Sequence, residues 1–438
     1  MELIIDNIAK IKHAEIKLKG ITVIAGNNDT GKSTVGKVLF SMFNSLNNIE
    51  DKLKKEKNAT LERAFSSILR ESLPAEEGIH NRLRFISRYS YNTSKIVNFF
   101  QNNFDKANVN ESLVSILKSD FTTKTSANYT GLYEKIAEKI LYEYERISKI
   151  SDKDAMLTIV SRYFSSVFDN QICSLRNDSA LKSSVELTIK GKKIKTTFLA
   201  GICDDITEEL NITKKAIYID NPFVLDDLQN SEFGAYVDSF LQLILLQAKD
   251  VVLEKGAYDA VDINDKLTDV ENILNDIING NVVEEDSDFV LQKEDFTEDI
   301  HLQNVSTGLK SFILLKLLLQ NGLLTTKDIL ILDEPEIHLH PEWQLKYAET
   351  IVLLQKAFDL NIVITTHSAT FLEAIDLFSQ KHNIKDKCNY YLTENLKKNE
   401  QSDFEDVTES LDKVYKSLVT PTIALMRLRE ELESKNND

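Results

Sequence analysis

Cysteine is scarce in this chain of 438 residues: Cys173, Cys203 and Cys388 stand far apart, with no C-x-x-C pair. A disulfide framework is not expected, and the three read as free thiols in a reducing cytosol. Long apolar runs are missing too. The stretches 240–246 and 312–319 are the longest, and both fall short of the length that spans a bilayer, so no membrane partner is expected. A secretory pattern is absent from the N-terminus, because Glu2, Asp6 and Lys10 interrupt any apolar region there. Positive charge is outweighed, with 52 Lys and Arg against 69 Asp and Glu, a net charge of −17 and a pI near 5.0. That balance argues against a broadly basic nucleic-acid coat, while a local groove can still be basic. No internal repeat and no low-complexity tract occurs. What remains is 42% hydrophobic and 28% charged, the texture of a globular protein with room for one large or roughly two to three ordinary domains. We expect a cytoplasmic protein.

One stretch organises the rest. Gly26-Asn27-Asn28-Asp29-Thr30-Gly31-Lys32-Ser33-Thr34 matches G-x-x-x-x-G-K-[ST]. Ile21–Ala25 predicts a buried strand entering the loop, and Thr34–Phe43 a helix leaving it, with apolar residues every three or four positions. Two glycines let the backbone curl so that successive N–H groups face one anion at a helix N-terminus. In such a loop Lys32 reaches the β- and γ-phosphates of a nucleotide, and the Ser33 hydroxyl is placed to hold Mg²⁺.

Three further stretches carry chemistry. Ile329–Leu332 predicts a fully buried strand ending in Asp333-Glu334-Pro335-Glu336-Ile337-His338-Leu339-His340-Pro341. Its end is where open α/β sheets place ligands. There Asp333 is positioned to hold Mg²⁺, and Glu334 to polarise an attacking water as general base. Asn361–Thr366 predicts a second apolar strand that delivers His367, an imidazole suited to sensing a γ-phosphate. Val305-Ser306-Thr307-Gly308-Leu309-Lys310 opens a helix over 312–320, with Ser306 as N-cap and Gly308 permitting close backbone approach. Elsewhere, 45–180 has helical spacing, as in Ile136, Ile140, Tyr144 and Ile147 on one face. Arg82, Arg84, Arg88, Tyr89 and Tyr91 form a small basic-aromatic patch that reads as a solvated helix face or a contact for nucleic acid or a partner. A hairpin is expected at 185–189 and 194–198, a strand at 216–220, and short paired strands at 282–302. The tail 407–432 is amphipathic on either side of Pro421.

In order and spacing, the four motifs resemble the ABC-type, AAA-family ATPases, and the wording DEPE-x-H-L-H-P and T-T-H-S is closest to the OLD, RecF and SMC kind. The resemblance covers 1–44 and 300–370, and 185–225 more loosely. It implies an α/β fold: a P-loop ABC-ATPase head, with a mixed-sheet core and an antiparallel β subdomain, carrying a large all-helical insertion. The implied divisions are 1–44 with the P-loop, 45–184 as insertion, 185–225 as head strands, 226–278 as a helical segment, 279–395 as the rest of the head, and 396–438 as a helical tail. It also implies ATP and Mg²⁺ as cofactors, with residues 26–34 on ATP, Ser33 and Asp333 on the metal, and Lys32, Glu334 and His367 in catalysis. Ser306, Thr307, Gly308 and Lys310 take the place of the signature loop, reaching in trans the nucleotide held by a second copy. A homodimer or higher homo-oligomer is therefore expected.

The chain departs from the ABC pattern in the signature, which loses its first Gly and its Gln, and at His340, where a D-loop Asp is usual. No aromatic residue precedes the P-loop to stack on adenine. Asn221 is the weak candidate for the Q-loop. For biological role the resemblance leaves three readings open. The first is the sensor subunit of an anti-phage complex, like the ATPases of PARIS or Septu, controlling a separately encoded nuclease or toxin, with DNA or a phage component as a possible ligand. Only about 70 residues follow His367, too few for a Toprim nuclease. The second is a DNA-repair or SMC-like ATPase, and the third a transporter head.

Overall fold

The computed structural model describes residues 1–72, 93–101, 108–121, 131–174, 182–208, 211–226, 241, 245, 257–285, 288–395 and 401–436. The basic-aromatic patch at Arg82–Tyr91 lies outside them, as does much of 226–256. The chain divides into two compact units, one of Met1–Asn47 with Ile159–Asp438 and the other of Asn48–Thr158.

The first unit begins with β1 (Glu2–Ile8), β2 (Ile11–Lys17), β3 (Ile21–Gly26) and α1 (Lys32–Leu46). In β2, Ile11, Ala14 and Ile16 are buried while their polar neighbours are exposed, the alternation of a sheet with one wet face. β3 is buried along its whole length, as a parallel strand between two others must be.

The second unit is helical, with α2 (Ile49–Ser72), α3 (Val109–Phe121) and α4 (Leu132–Ser148). The expected stripe is its core: Ile136, Ile140 and Ile147 of α4 pack with Leu61, Phe65 and Leu113. Tyr144 stacks on Phe100 at 4.0 Å between ring centroids. In α5 (Asp152–Val167), residues from Ile159 belong to the first unit, where Phe164 packs on Phe198 at 4.6 Å.

The first unit then continues with β4 (Ser183–Ile189), β5 (Lys192–Leu199), β6 (Ile202–Glu208) and β7 (Ala216–Ile219), followed by α6 (Ala257–Ile278). Next come β8 (Asn281–Glu285), β9 (Asp288–Gln292), β10 (Ile300–His301), α7 (Thr307–Gln320) and β11 (Ile329–Asp333). It closes with α8 (Pro341–Phe358), β12 (Asn361–Thr366), α9 (Ala369–Lys381), β13 (Cys388–Asn395), β14 (Ser402–Asp406) and α10 (Asp412–Asn436). The fold is mixed α/β. Eleven strands form one sheet in the order β6-β5-β4-β1-β2-β14-β13-β3-β12-β11-β7, and β10-β9-β8 form a small antiparallel sheet. From β13 to β7 all neighbours are parallel, and from β2 to β6 all are antiparallel.

Alternation along the parallel strands sends one set of side chains to each face. Val23, Leu330, Leu332 and Ile364 join the core with α7, α8 and α9. On the other face Tyr218 and Ile331 meet α1, so closely that a Cβ on Gly36 would lie 2.8 Å from each. α7 is buried on nearly every side, Phe312, Ile313, Leu314 and Leu315 all being 0% exposed, as expected of a helix apolar all round.

Two differences from the sequence reading stand out. The segment from 396 begins with a strand, β14, which pairs with β13 and, at Ser402–Ile11, with β2. Its sequence, Ser-Asp-Phe-Glu-Asp, has one apolar residue and no alternation to reveal it. α10 then runs through Pro421 as one helix. Val414 is buried, whereas Leu425, Leu428 and Leu432 are exposed. No helix among the described residues is long and apolar enough to cross a membrane.

Candidate nucleotide site

The parallel order β3-β12-β11 sets the three motif strands side by side, with β12 in the middle. Each delivers its polar residues at its C-terminal end, so the three loops share one edge of the sheet.

The loop after β3 is pinned from below. A Cβ on Gly26 would come within 2.3 Å of the Thr393 hydroxyl on β13, so only glycine fits. Thr30 shares a 2.6 Å hydrogen bond with that same hydroxyl and donates to the Asn27 carbonyl at 2.8 Å. Asp29 and Gly31 have φ of 63° and 78°, left-handed turns that fold the loop back before α1 starts at Lys32. Lys32 is 4% exposed. Its ammonium donates to the carbonyls of Gly26 at 3.0 Å and Asn27 at 2.8 Å and stands 3.4 Å from Glu334 Oε1.

Asp333, at the end of β11, accepts from three hydroxyls. Ser33 donates to Oδ1 at 3.0 Å, Tyr218 donates to Oδ2 at 2.6 Å, and Thr365 of β12 also donates to Oδ1. Burial, then the Asp333 charge, pushes the Tyr218 phenol well above its ordinary pKa, which keeps it a donor. Glu334 has φ of 48°. Its N–H donates to Thr365, to O at 3.1 Å and Oγ1 at 3.0 Å, and its carboxylate lies 3.4 Å from His367 Nδ1. Glu336, three residues past Asp333, takes the Thr366 hydroxyl at 2.5 Å and the His367 N–H at 3.2 Å.

These residues line or flank a cleft of about 540 Å³. Asn28 to Thr34, Asp333 and Glu334 line it, joined by Lys10, Asp220 and Ile337. Lys10, from the β1–β2 turn, is ion-paired with Asp29.

A search of the curated proteins finds no match. The model of the AAA ATPase domain matches residues 1–372. The chain belongs to this family. Among solved structures, the ATPase domain is similar to the SMC head domain from Thermotoga maritima (12% identity, covering 93% of this chain and 98% of that one, TM-score 0.35). It is also similar to an Smc head bound to the C-winged helix domain of ScpA (8%, 92% and 97%, TM-score 0.41). A third is an Smc head domain bound to the C-terminal domain of ScpA, derived from Pyrococcus furiosus (9%, 99% and 98%, TM-score 0.34).

Within the ATPase domain, Lys32, Ser33, Asp333, Glu334 and His367 come together. The Ser306 loop does not line the cleft. Ser306 is exposed at the start of α7 with no side-chain cap bond, and Gly308 is pressed on the His338 carbonyl, 2.9 Å from where a Cβ would stand. Lys310 turns inward: it is buried, donates to Asp226 Oδ1 at 2.5 Å and lies over the Phe223 ring. Asn221 caps a turn through the Phe223 N–H at 2.9 Å, and its neighbour Asp220 is the residue lining the cleft. His340 caps α8, His338 packs edge-on against Phe223, and no metal-binding cluster of His, Cys, Asp and Glu occurs among the described residues. Sequence reasoning missed Lys10, Tyr218, Thr365, Thr393 and Asp220. Thr365 stood inside the T-T-H-S phrase, but Thr393 had no signal, since its role depends on the pairing of β13 with β3.

Proposed function

We propose that the protein binds and hydrolyses Mg²⁺-ATP between two copies of itself. The observation that carries this reading is the convergence of Lys32, Ser33, Asp333 and Glu334 on one cleft, with His367 3.4 Å from Glu334 behind it. A hydroxyl and a carboxylate 3.0 Å apart suit Mg²⁺, which takes few protein oxygens and completes its shell with water and phosphate. Ser33 and Asp333 would hold it, and it would supply neutralisation of charge on the phosphate oxygens. Lys32 exchanges its carbonyl partners for phosphate. Glu334 accepts a proton from the attacking water, and His367 steadies that carboxylate and senses the terminal phosphate.

The exposed Ser306 and half-buried Thr307 at the N-terminus of α7 are suited to meet the nucleotide of a second copy. Lys310, being paired with Asp226, is left out of that contact. In the cell we place this ATPase as the sensor subunit of an anti-phage complex controlling a separately encoded nuclease or toxin. The support for that role is the resemblance of the chain to the stand-alone ATPase subunits of systems such as PARIS or Septu.

Light scattering with and without ATP tests the mechanism. E334Q is expected to bind ATP, to lose at least about 100-fold in hydrolysis and to accumulate as a dimer or larger species. K32A is expected to lose nucleotide binding. A nucleotide-bound E334Q that stays monomeric overturns the shared site. Phage plating of cells carrying the chain with its flanking genes, against the same set with K32A, tests the role: equal protection overturns it.

A further inference from the structure

Glu336 is a carboxylic acid where few occur: 3% exposed, inside the turn between β11 and α8. Its backbone is held from two sides, the carbonyl accepting from the Leu339 N–H at 3.0 Å and from Gln344 of α8 at 3.4 Å. Its side chain therefore has little freedom.

One oxygen, Oε1, gathers the exit of β12. It accepts from the Thr366 hydroxyl at 2.5 Å and from the His367 main-chain N–H at 3.2 Å. The Thr366 hydroxyl in turn accepts from the Ser368 N–H at 3.0 Å, and Ser368 caps α9 through the Phe371 N–H. A single buried atom thus ties together the last residue of β12, the His367 backbone and the cap of the next helix. The His367 imidazole is left with Nδ1 3.4 Å from Glu334 and 3.8 Å from Glu336.

The second oxygen, Oε2, is buried and meets no donor among the described residues. The imidazole stands on the side of Oε1, at the longer of the two distances, so a full negative charge would leave Oε2 uncompensated. An anion with half its acceptor capacity unmet in an apolar setting is costly. Burial moves the Glu336 carboxyl above the ordinary range, against the opposing pull of the Thr366 hydroxyl and His367. The side chain has the contacts of a hydrogen-bond acceptor and lacks those of an ion.

We propose that Glu336 is a positioning residue for His367: through one buried oxygen it fixes the turn that presents the imidazole to Glu334, acting as a neutral acceptor and not as a counter-ion. This rests on the reading of His367 as part of the hydrolytic site.

Two variants of the full-length protein separate the possibilities. E336Q keeps an acceptor at Oε1 and carries no charge, and E336A removes the acceptor. E336Q is expected to keep kcat within about twofold of wild type with an unchanged pH profile. E336A is expected to lose about 10-fold or more in kcat with KM and the affinity for a fluorescent ATP analogue nearly unchanged, because orientation is lost while the phosphate cradle is intact. T366V, which removes one donor and leaves the acid, is expected to fall between them and serves if E336A does not fold. The second readout is ¹⁵N NMR of the His367 ring, assigned with H367Q. E336Q should keep its tautomer and ring ¹⁵N shifts, and E336A should change both. An E336Q as slow as E336A, or with displaced His367 ring shifts, overturns the neutral-acceptor role, and an E336A that matches wild type overturns positioning altogether. If H367Q hydrolyses ATP normally, the reading of His367 fails, while the ring signals still report whether Glu336 holds the imidazole.

Discussion

Tyr218 shows how much of the site depends on a residue that no motif contains. Its phenol reaches Asp333 at 2.6 Å while its ring edge lies where a Cβ on Gly36 would fall. Y218F keeps the ring and removes the donor. Hydrogen bonds to charged groups are worth about 1.5–3 kcal/mol, so the Mg²⁺ needed for half-maximal hydrolysis is expected to rise about 10-fold. A magnesium titration at saturating ATP checks it. G36A forces a methyl group against both Ile331 and Tyr218, and overpacking of that kind costs about 1–3 kcal/mol; urea denaturation should show it. Glu336 adds a pH effect. Burial raises its folded pKa above the unfolded value, so folding retains a proton that the unfolded chain releases, and stability falls as pH rises between the two values. E336Q carries no such proton. The Tm of E336Q relative to wild type is therefore expected to climb as pH rises above the ordinary carboxylate range, and a difference that does not change with pH contradicts it.

At the scale of elements, legibility followed burial. β3, β11 and β12 are largely apolar runs because helices cover both faces of the parallel sheet, and each leads into a motif recognisable from the sequence. β13 and β14 were not legible. Cys-Asn-Tyr-Tyr-Leu-Thr-Glu-Asn mixes polar and aromatic residues without a clean period, and Ser-Asp-Phe-Glu-Asp gains its place only by pairing with β13 and β2. The same logic hid Thr393, whose contact with Gly26 is created by strand pairing across more than 360 positions. The helices divide similarly. α7 is buried along nearly its whole length, and Leu314→Ala there is expected to cost about 2–5 kcal/mol. Leu425, at 67% exposure in α10, should tolerate Ser within about 0.5 kcal/mol. Denaturant midpoints of the two variants test the contrast, and comparable losses would mean that the end of α10 is covered in solution.

For the whole molecule, charge sets a condition on assembly. Each copy carries a net −17, so two copies brought together by nucleotide repel at long range. Salt screens that repulsion. The dimer fraction of ATP-loaded E334Q is expected to increase between about 50 and about 300 mM NaCl, where the Debye length shortens from more than 10 Å to less than 8 Å. Light scattering across that range decides the sign. A dimer that weakens with salt would instead point to an interface held by opposite charges, for which the exposed residues beside Ser306 would be the first place to look.

Lys32 has one more consequence. Its ammonium is already bonded to the carbonyls of Gly26 and Asn27, the very loop it serves. The resting loop is therefore its own intramolecular competitor: an arriving phosphate gains the lysine only by releasing two oxygens, and the free energy of binding is the difference between the two sets of partners, not the whole Coulomb attraction. The same two bonds hold the loop's carbonyls to the lysine that will leave them. Substituting the loop's partners and the affinity for phosphate are then two aspects of a single exchange.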